Sequence, residues 1–374
     1  TLGPNGTEPQ NELDLQLPVG QGGSDDHSSM TVDFGFFAPL SLGDYAWNDL
    51  DGDGLQDADE PGIQNVTMQL FLADGTTPAT DVNGNPVASV TTNANGLYTF
   101  TNLPPGDYIV RATTPAGFAP SQVYGGDPDN NVQNDNNGQL VAGNFQSQPI
   151  TLQPGTEIND GDLNPNNNPT VDFAFYAPMS IGSTVFYDRN NNGVHEFSNP
   201  LERGIAGVTV QLLFDANHDG DLNDPGENTP IFTTITDSNG NYLFSNLSPG
   251  NYQVVIPVPD ASAMTSSGGQ NTTDNDDLKD DGAQTGTGNP TVSPIVNLKA
   301  GQEIVETAGN PGAAQDDAAD NNGNMTVDFG FIPTMSIGST VWADVNDDGV
   351  QNINNALEDG IANVTVRLYN DTNN

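Results

Sequence analysis

The sequence predicts an all-β protein built from tandem domains, and three observations carry that expectation. Apolar residues gather in short alternating runs such as Val66-Thr67-Met68-Gln69-Leu70-Phe71 and Tyr108-Ile109-Val110, the period-two signature of half-buried strands. Between the runs lie clusters of Asp, Asn, Gly and Pro, which read as turns and long polar loops, and no stretch shows sustained helical periodicity. The third observation is repetition. Ser41-Leu-Gly-Asp-Tyr-Ala-Trp47, Ser180-Ile-Gly-Ser-Thr-Val-Phe186 and Ser336-Ile-Gly-Ser-Thr-Val-Trp342 align at spacings of 139 and 156 residues, and Thr-Val-Asp-Phe recurs at 31–34, 170–173 and 326–329. Periods this long mark whole domains rather than solenoid units.

Taken in order, residues 1–39 match the end of a domain, since Thr1-Leu-Gly-Pro resembles Thr151-Leu-Gln-Pro. Residues 40–178 and 179–334 form complete repeats, and 335–374 match the beginning of another. Each complete repeat opens with the Ser-x-Gly strand and closes with the Thr-Val-Asp-Phe strand. Its middle is Asn95-Gly-Leu-Tyr-Thr-Phe-Thr-Asn-Leu-Pro-Pro-Gly-Asp-Tyr108 or Asn239-Gly-Asn-Tyr-Leu-Phe-Ser-Asn-Leu-Ser-Pro-Gly-Asn-Tyr252. The chain thus reads as a segment of a longer array. Joints are short: Phe34-Gly-Phe-Phe-Ala-Pro-Leu-Ser-Leu-Gly43, Tyr176-Ala-Pro-Met179 and Phe331-Ile-Pro-Thr-Met335. Proline restricts φ at such a joint, so a semi-rigid rod is expected, with about 40 Å per domain.

Charge excludes several function classes. Fifty Asp and Glu oppose six Lys and Arg among 374 residues, for a net charge of −44. That leaves no basic footprint for nucleic acid or for an anionic membrane surface. Cys is absent, which removes disulfides, thiol catalysis and zinc–thiolate sites and leaves metal as the candidate staple. No apolar stretch approaches the roughly 20 residues of a membrane span, and the N-terminus carries no secretion signal. Low hydrophobicity with high charge is the signature of disorder, but here the apolar residues cluster in strand-like runs.

The acids concentrate in loops with calcium-ligand spacing. After the first strand, Asp49, Asp51, Asp53, Asp57 and Glu60 occupy positions 1, 3, 5, 9 and 12, with Gly54 at 6 and the Leu55 carbonyl at 7. A hard cation takes six to eight oxygens, and alternate residues of a tight loop point inward to supply them. Pro61-Gly62 follows at once and strand-like sequence flanks the loop, so the scaffold is β rather than helix–loop–helix. The second repeat offers Asp188, Asn190, Asn192, Val194, Glu196 and Glu202, and the last segment Asp344, Asn346, Asp348, Val350 and Glu358, with Asn352 at position 9; both put the closing Glu at position 15. All three closing acids stand just before a Gly-Ile pair: Gly62-Ile63, Gly204-Ile205 and Gly360-Ile361. A further loop in the second repeat uses Asp215, Asn217, Asp219, Asp221 and Glu227, and Asp371 with Asn373 begins a similar one. Ordinary turn formation is the alternative for any one loop; three in register favour metal.

Other polar residues say less. Asp127/Asp129/Asp135 and Asp274/Asp276/Asp280/Asp281 recur with irregular spacing and read equally as metal site or solvated loop. Strand alternation places Asp33, Asp172 and Asp328 on the outer face, as plain outward residues or as ion ligands near the joints. His27, His195 and His218 share no register and build no catalytic constellation.

Together the opening Ser-x-Gly strand, Asp-x-Asn/Asp-x-Asn/Asp-Gly, Glu-x-Gly-Ile-x-x-Val-Thr-Val, Asn-Gly-x-Tyr-x-Phe-x-Asn-Leu-x-Pro-Gly-x-Tyr and Thr-Val-Asp-Phe-Gly-Phe carry a resemblance over essentially the whole chain. It resembles the calcium-binding B-type domains of bacterial serine–aspartate-repeat surface adhesins, within the collagen-adhesin B-type (prealbumin-like) group. The resemblance implies immunoglobulin-like β-sandwiches that bind calcium, serve as stalks on bacterial surfaces and lack catalytic activity. Many members of the wider group carry an internal Lys–Asn cross-link whose Lys sits on an early strand. The lysines here are Lys279 and Lys299, both late in the second repeat, so no cross-link is expected.

The function expected is therefore a calcium-stiffened, extracellular stalk or fibre segment, whose partners are adjacent repeats or neighbouring copies. A ligand-binding adhesin region, or a spacer beside an enzyme, are the alternatives. An adhesin would need a distinct exposed aromatic or terminal domain; a spacer would be revealed by the sequence beyond this stretch.

Overall fold

A computed structural model describes residues 34–121, 134–156, 163–257, 264–266, 278–284, 289–303, 321–333 and 337–369. All named elements are strands. The first repeat contains β1 (Leu40–Asn48), β2 (Thr67–Leu72), β3 (Val90–Thr91), β4 (Leu97–Leu103), β5 (Gly106–Ala112), β6 (Ala119–Pro120), β7 (Gln139–Val141), β8 (Asn144–Gln146), β9 (Ile150–Leu152), β10 (Asn167–Asn168) and β11 (Phe173–Tyr176). The second contains β12 (Met179–Tyr187), β13 (Thr209–Phe214), β14 (Phe232–Ile235), β15 (Asn241–Leu247), β16 (Gly250–Ile256), β17 (Met264–Ser266), β18 (Ala283–Gln284), β19 (Thr291–Val292), β20 (Val296–Leu298), β21 (Gly323–Asn324) and β22 (Phe329–Pro333). No helix among the described residues is long and apolar enough to cross a membrane.

In each repeat the opening strand is a hub. β1 runs antiparallel to β4 and parallel to β10 and β11, as β12 does to β15, β21 and β22. The second sheet is ordered β3-β2-β5-β8-β7, with β9 on β5, and the later repeat copies it as β14-β13-β16-β19-β18 with β20 on β16. The alternation of the sequence decides which faces meet: Met68 and Leu70 of β2 are buried, as are Leu42, Phe100 and Phe173 of the facing sheet, in one shared core. Ile181, Phe244, Val210 and Phe329 do the same in the second repeat. These are antiparallel-dominated sandwiches with period-two patterning.

The shared motifs acquire reasons. The Asn-Gly-x-Tyr tyrosines reach across to the closing strand: Tyr98 Oη donates to the Val171 carbonyl at 2.7 Å, and Tyr242 to Val327 at 2.6 Å. The Pro-Gly-x-Tyr tyrosines turn back on their own corner, Tyr108 to the Pro104 carbonyl at 2.7 Å and Tyr252 to Ser248 at 2.8 Å. Gly62 and Gly204 press on the turn ahead of β4 and β15, where a Cβ would stand 2.1 Å from the Asn95 carbonyl oxygen and 1.6 Å from that of Asn239.

Two expectations need correction. Asp172 and Asp328 do not face solvent; they are 0% and 1% exposed. A crossing segment covers the outer face of the closing strand, Asn137 N donating to the Asp172 carbonyl at 3.0 Å and Asp281 N to that of Asp328 at 2.9 Å. Alternation within one strand carries no information about such a cover. The terminal segments also differ from the strands predicted for them, because 34–39 and 337–343 form no named strand. In the complete repeats the opening and closing strands hold each other, and no such neighbour stands beside 34–39 or 337–343 among the described residues. Asp33 and His27 lie outside the described residues.

Candidate metal centre

The first loop starts where β1 ends, with Asp49 N donating to the Phe175 carbonyl of β11 at 2.7 Å. Gly52 and Gly54 then take φ of 80° and 75°, the left-handed region open to glycine. This turn aims backbone amides at the leading acid: Gly52 N donates to Asp49 Oδ1 at 2.8 Å and Gly54 N to Oδ2 at 3.3 Å. Asp51 Oδ1 accepts from Asp53 N at 3.4 Å, and Asp53 Oδ1 from Leu55 N at 2.7 Å. Glu60 folds back beneath, accepting from Leu50 N at 2.6 Å and Asp57 N at 3.0 Å.

One carboxylate oxygen from each of Asp49, Asp51 and Asp53 lies within 4.8 Å of the others. Of the predicted ligands, these three are brought together, and Glu60 is buried next to them. The Asp57 side chain is exposed at the rim, and Leu55 is bridged to Asp135 across the loop. Burial holds Asp49 up at about 6 and Glu60 at about 7, and it also raises Asp53. Carboxylates gathered out of water resist ionisation unless a cation joins them.

The glycine turn onto the leading acid recurs at the other three loops, while among the described residues only the first brings three carboxylates within 4.8 Å of one another. The position-6 glycine donates to the leading acid each time: Gly193 to Asp188 at 2.8 Å, Gly220 to Asp215 at 2.9 Å and Gly349 to Asp344 at 2.9 Å. Their φ values are 71°, 91° and 70°. Position 4 is left-handed as well, at Asn191 (57°), His218 (58°) and Asp347 (60°). Asn190 and Asn192 direct their amides to Glu196 at 3.2 and 2.7 Å, and Val194 N caps Asn192 at 2.9 Å. Asn217, Asp219 and Asp221 form a matching staircase in the loop closed by Glu227. There Ala216 N donates to Glu227 at 3.0 Å, just as Leu50 N does to Glu60. In the last segment Asn346 and Asp348 step toward Val350, while Glu358, 2% exposed, accepts from Asn352 N at 2.7 Å.

The donors are hard oxygens throughout, which suits calcium or magnesium better than a thiophilic ion. Glu202 adds a specific fit. It is 0% exposed, burial raises it to about 7, and its Oε1 has no hydrogen-bond partner. An uncompensated buried carboxylate oxygen is costly, and a cation in the loop would complete its bonding.

Sequence reasoning missed the supports around these loops. Asn251 of β16 donates to Asp215 Oδ2 at 3.0 Å, and Ser121 hydrogen-bonds Asp49. The crossing segments zip each first loop to its closing strand: Gln56 N to the Asn134 carbonyl at 2.8 Å, Asn136 N to Gly54 at 3.0 Å and Asp280 N to Gly193 at 2.9 Å. His195, buried, stacks on Phe186 at 4.3 Å between ring centroids and contacts the Glu202 carbonyl at 3.0 Å through Nε2. Asp135, Asp280 and Asp281 of the irregular clusters are buried in these segments; Asp127, Asp129, Asp274 and Asp276, like Asp371 and Asn373, lie outside the described residues.

A family profile described as the SdrD B-like domain matches residues 40–172 and 179–302. The chain is 32% identical over 364 residues to a serine-aspartate repeat-containing protein F of Staphylococcus epidermidis, covering 96% of this chain and 17% of that protein. It is likewise 32% identical over 344 residues to a serine-aspartate repeat-containing protein D of Staphylococcus aureus, covering 91% of this chain and 20% of that one. The chain therefore spans about a fifth of these relatives' length. Among solved structures, a streptococcal ancillary pilin overlaps 73% of this chain and 62% of its own at 12% identity and a TM-score of 0.24. The shaft pilin SpaA of Lactobacillus rhamnosus GG, as a double mutant, overlaps 81% and 100% at 12% identity and 0.22. Overlaps this loose carry no conclusion.

Proposed function

The chain belongs to the family of SdrD B-like domains, and from that membership we propose that it is a non-catalytic, calcium-stiffened stalk or fibre segment of a bacterial surface protein, working outside the cell. The observation that carries this reading is the recurrence of one loop geometry at four places, each with a leading Asp held by a left-handed glycine and a buried closing Glu. We divide the chain as its repeats suggest, at 1–39, 40–178, 179–334 and 335–374. Neighbouring repeats or copies are the partners of such a stalk.

The residues that would hold the ion are Asp49, Asp51, Asp53 and Glu60 in the first loop, with Asp57 and the Leu55 carbonyl at its rim. The counterparts are Asp188 to Glu202, Asp215 to Glu227 and Asp344 to Glu358. Bound calcium supplies positive charge that turns mutual repulsion among carboxylates into coordination. The chain does the rest: glycine turns preset the cradle, and the crossing segments tie it to the closing strands.

A site of extracellular type binds in about the 0.1–1 mM range. At tenfold excess over its dissociation constant, one site adds roughly 1.4 kcal/mol, or roughly 3–6 °C for a domain of this size. Differential scanning calorimetry with calcium and with a chelator tests this; identical melting temperatures would remove calcium from the function.

A further inference from the structure

Two of the loops meet at the joint between the repeats. Leu50, between Asp49 and Asp51, packs against the core of the second repeat, and its carbonyl accepts from Ala300 N at 2.9 Å. Gly52 lies so close to the second repeat that a Cβ there would stand 2.6 Å from the Pro249 carbonyl oxygen. Asp59, at the rim of the same loop, pairs with Lys299 at 3.2 Å. From the other side, the loop that starts at Asp215 brings Ala216 and His218 to a cleft shared with Gly52 and Tyr176.

We propose that the loop at 49–60 is a latch: filling it with a divalent cation seats Leu50 and fixes the second repeat against the first, and emptying it frees the joint. This rests on the reading of the loops as calcium sites. The physical link is short. Leu50 N is held by Glu60, and Leu50 is covalently flanked by two of the three acids whose oxygens crowd within 4.8 Å. Without a cation those acids repel, and relaxing them moves the residue that plugs the joint. Two events that share one element are coupled reciprocally, so the docked second repeat also tightens cation binding by the first loop. The first loop of the second repeat lacks this apolar plug. Arg189 replaces Leu50 in the second repeat, where it donates to the Leu201 carbonyl at 3.2 Å and lies over Tyr187.

The absence of Cys makes the test clean. Nitroxide labels at Ala73→Cys and Ser238→Cys, both on exposed positions of different repeats, report the joint by pulsed electron resonance in the full chain, with calcium chloride and with chelator. One narrow distance in calcium and a broad distribution in chelator is the expected result. Leu50→Ala should broaden the distance even in calcium and weaken binding at that loop about five- to tenfold. Lys299→Ala, which touches no loop residue's backbone, should broaden it more mildly with circular dichroism unchanged. If calcium raises the melting temperature but leaves the distance width untouched, the latch is wrong and the stalk reading stands. A narrow distance in calcium-loaded, folded Leu50→Ala overturns the latch as well. If calcium changes neither melting nor distance, the calcium reading itself falls and takes the latch with it.

Discussion

The amide of Leu50 donates to Oε1 of Glu60 across 2.6 Å, so the acid that closes the first loop also holds the residue that enters the next repeat. Glu60→Gln keeps an acceptor for that amide and removes the charge. Calcium affinity at this loop should fall by on the order of tenfold, about 1.4 kcal/mol. Calorimetric titration against the unchanged protein checks it, and unaltered affinity would place Glu60 outside the coordination sphere.

The Gly-Ile pairs allow an internally controlled test. Gly62→Ala and Gly204→Ala push a methyl into the carbonyls of Asn95 and Asn239, while at Gly360 the nearest atom to a Cβ is 3.7 Å away. The first two should each destabilise their repeat by about 2–3 kcal/mol, and Gly360→Ala should change little. Thermal melting of the three variants separates them.

Acidity should act oppositely on the empty and the filled protein. Asp44 and Asp49 stand at about 6 and Glu60 at about 7, each raised by burial. A carboxyl whose folded value exceeds its unfolded one binds more protons when folded, so stability falls as pH rises from about 4 through 7. In chelator, melting temperature should therefore be higher at pH 5.5 than at pH 7.5. Calcium affinity should run the other way, weakening on acidification as protons compete for the same oxygens.

The two repeats differ at one buried contact. Ser183 Oγ donates to Asp328 Oδ1 at 2.7 Å, whereas the first repeat has Asp44 at that register, and Asp172 Oδ2 is buried without a hydrogen-bond partner. Asp44→Ser should restore the hydroxyl contact and relieve like charge, stabilising the first repeat by about 1–2 kcal/mol at pH 7.5. The gain should shrink at pH 5, where Asp44 is protonated. A gain that ignores pH would point to packing instead.

How far the fold was legible follows from what each signal depends on. Strands β2, β4 and β5 were readable because their alternation reflects one buried face, and the turns of the four loops were readable because a left-handed glycine after a leading Asp is a local property. Asp172 was misjudged because the segment that buries it comes from 35 residues away. Asn251 and Ser121 reach the loops from elsewhere in the fold, and nothing near them in sequence marks that destination. Nothing in the loop pattern singles out Leu50, because its contacts are with the following repeat, at Ala300 and the second core. The strand expected over 336–342 needed neighbours that the segment itself does not contain.

The parallel pairing of β1 with β11 has a mechanical consequence. Ala46, Trp47 and Asn48 face Phe173, Ala174 and Phe175 in register, and the chain enters at the start of β1 and leaves from the end of β11. A pull along the chain therefore drags the two strands past each other in shear. Their cross-strand bonds bear the load together, where a hairpin tugged from its open end would part bond by bond. Tension is resisted at the same seam from which the first loop springs.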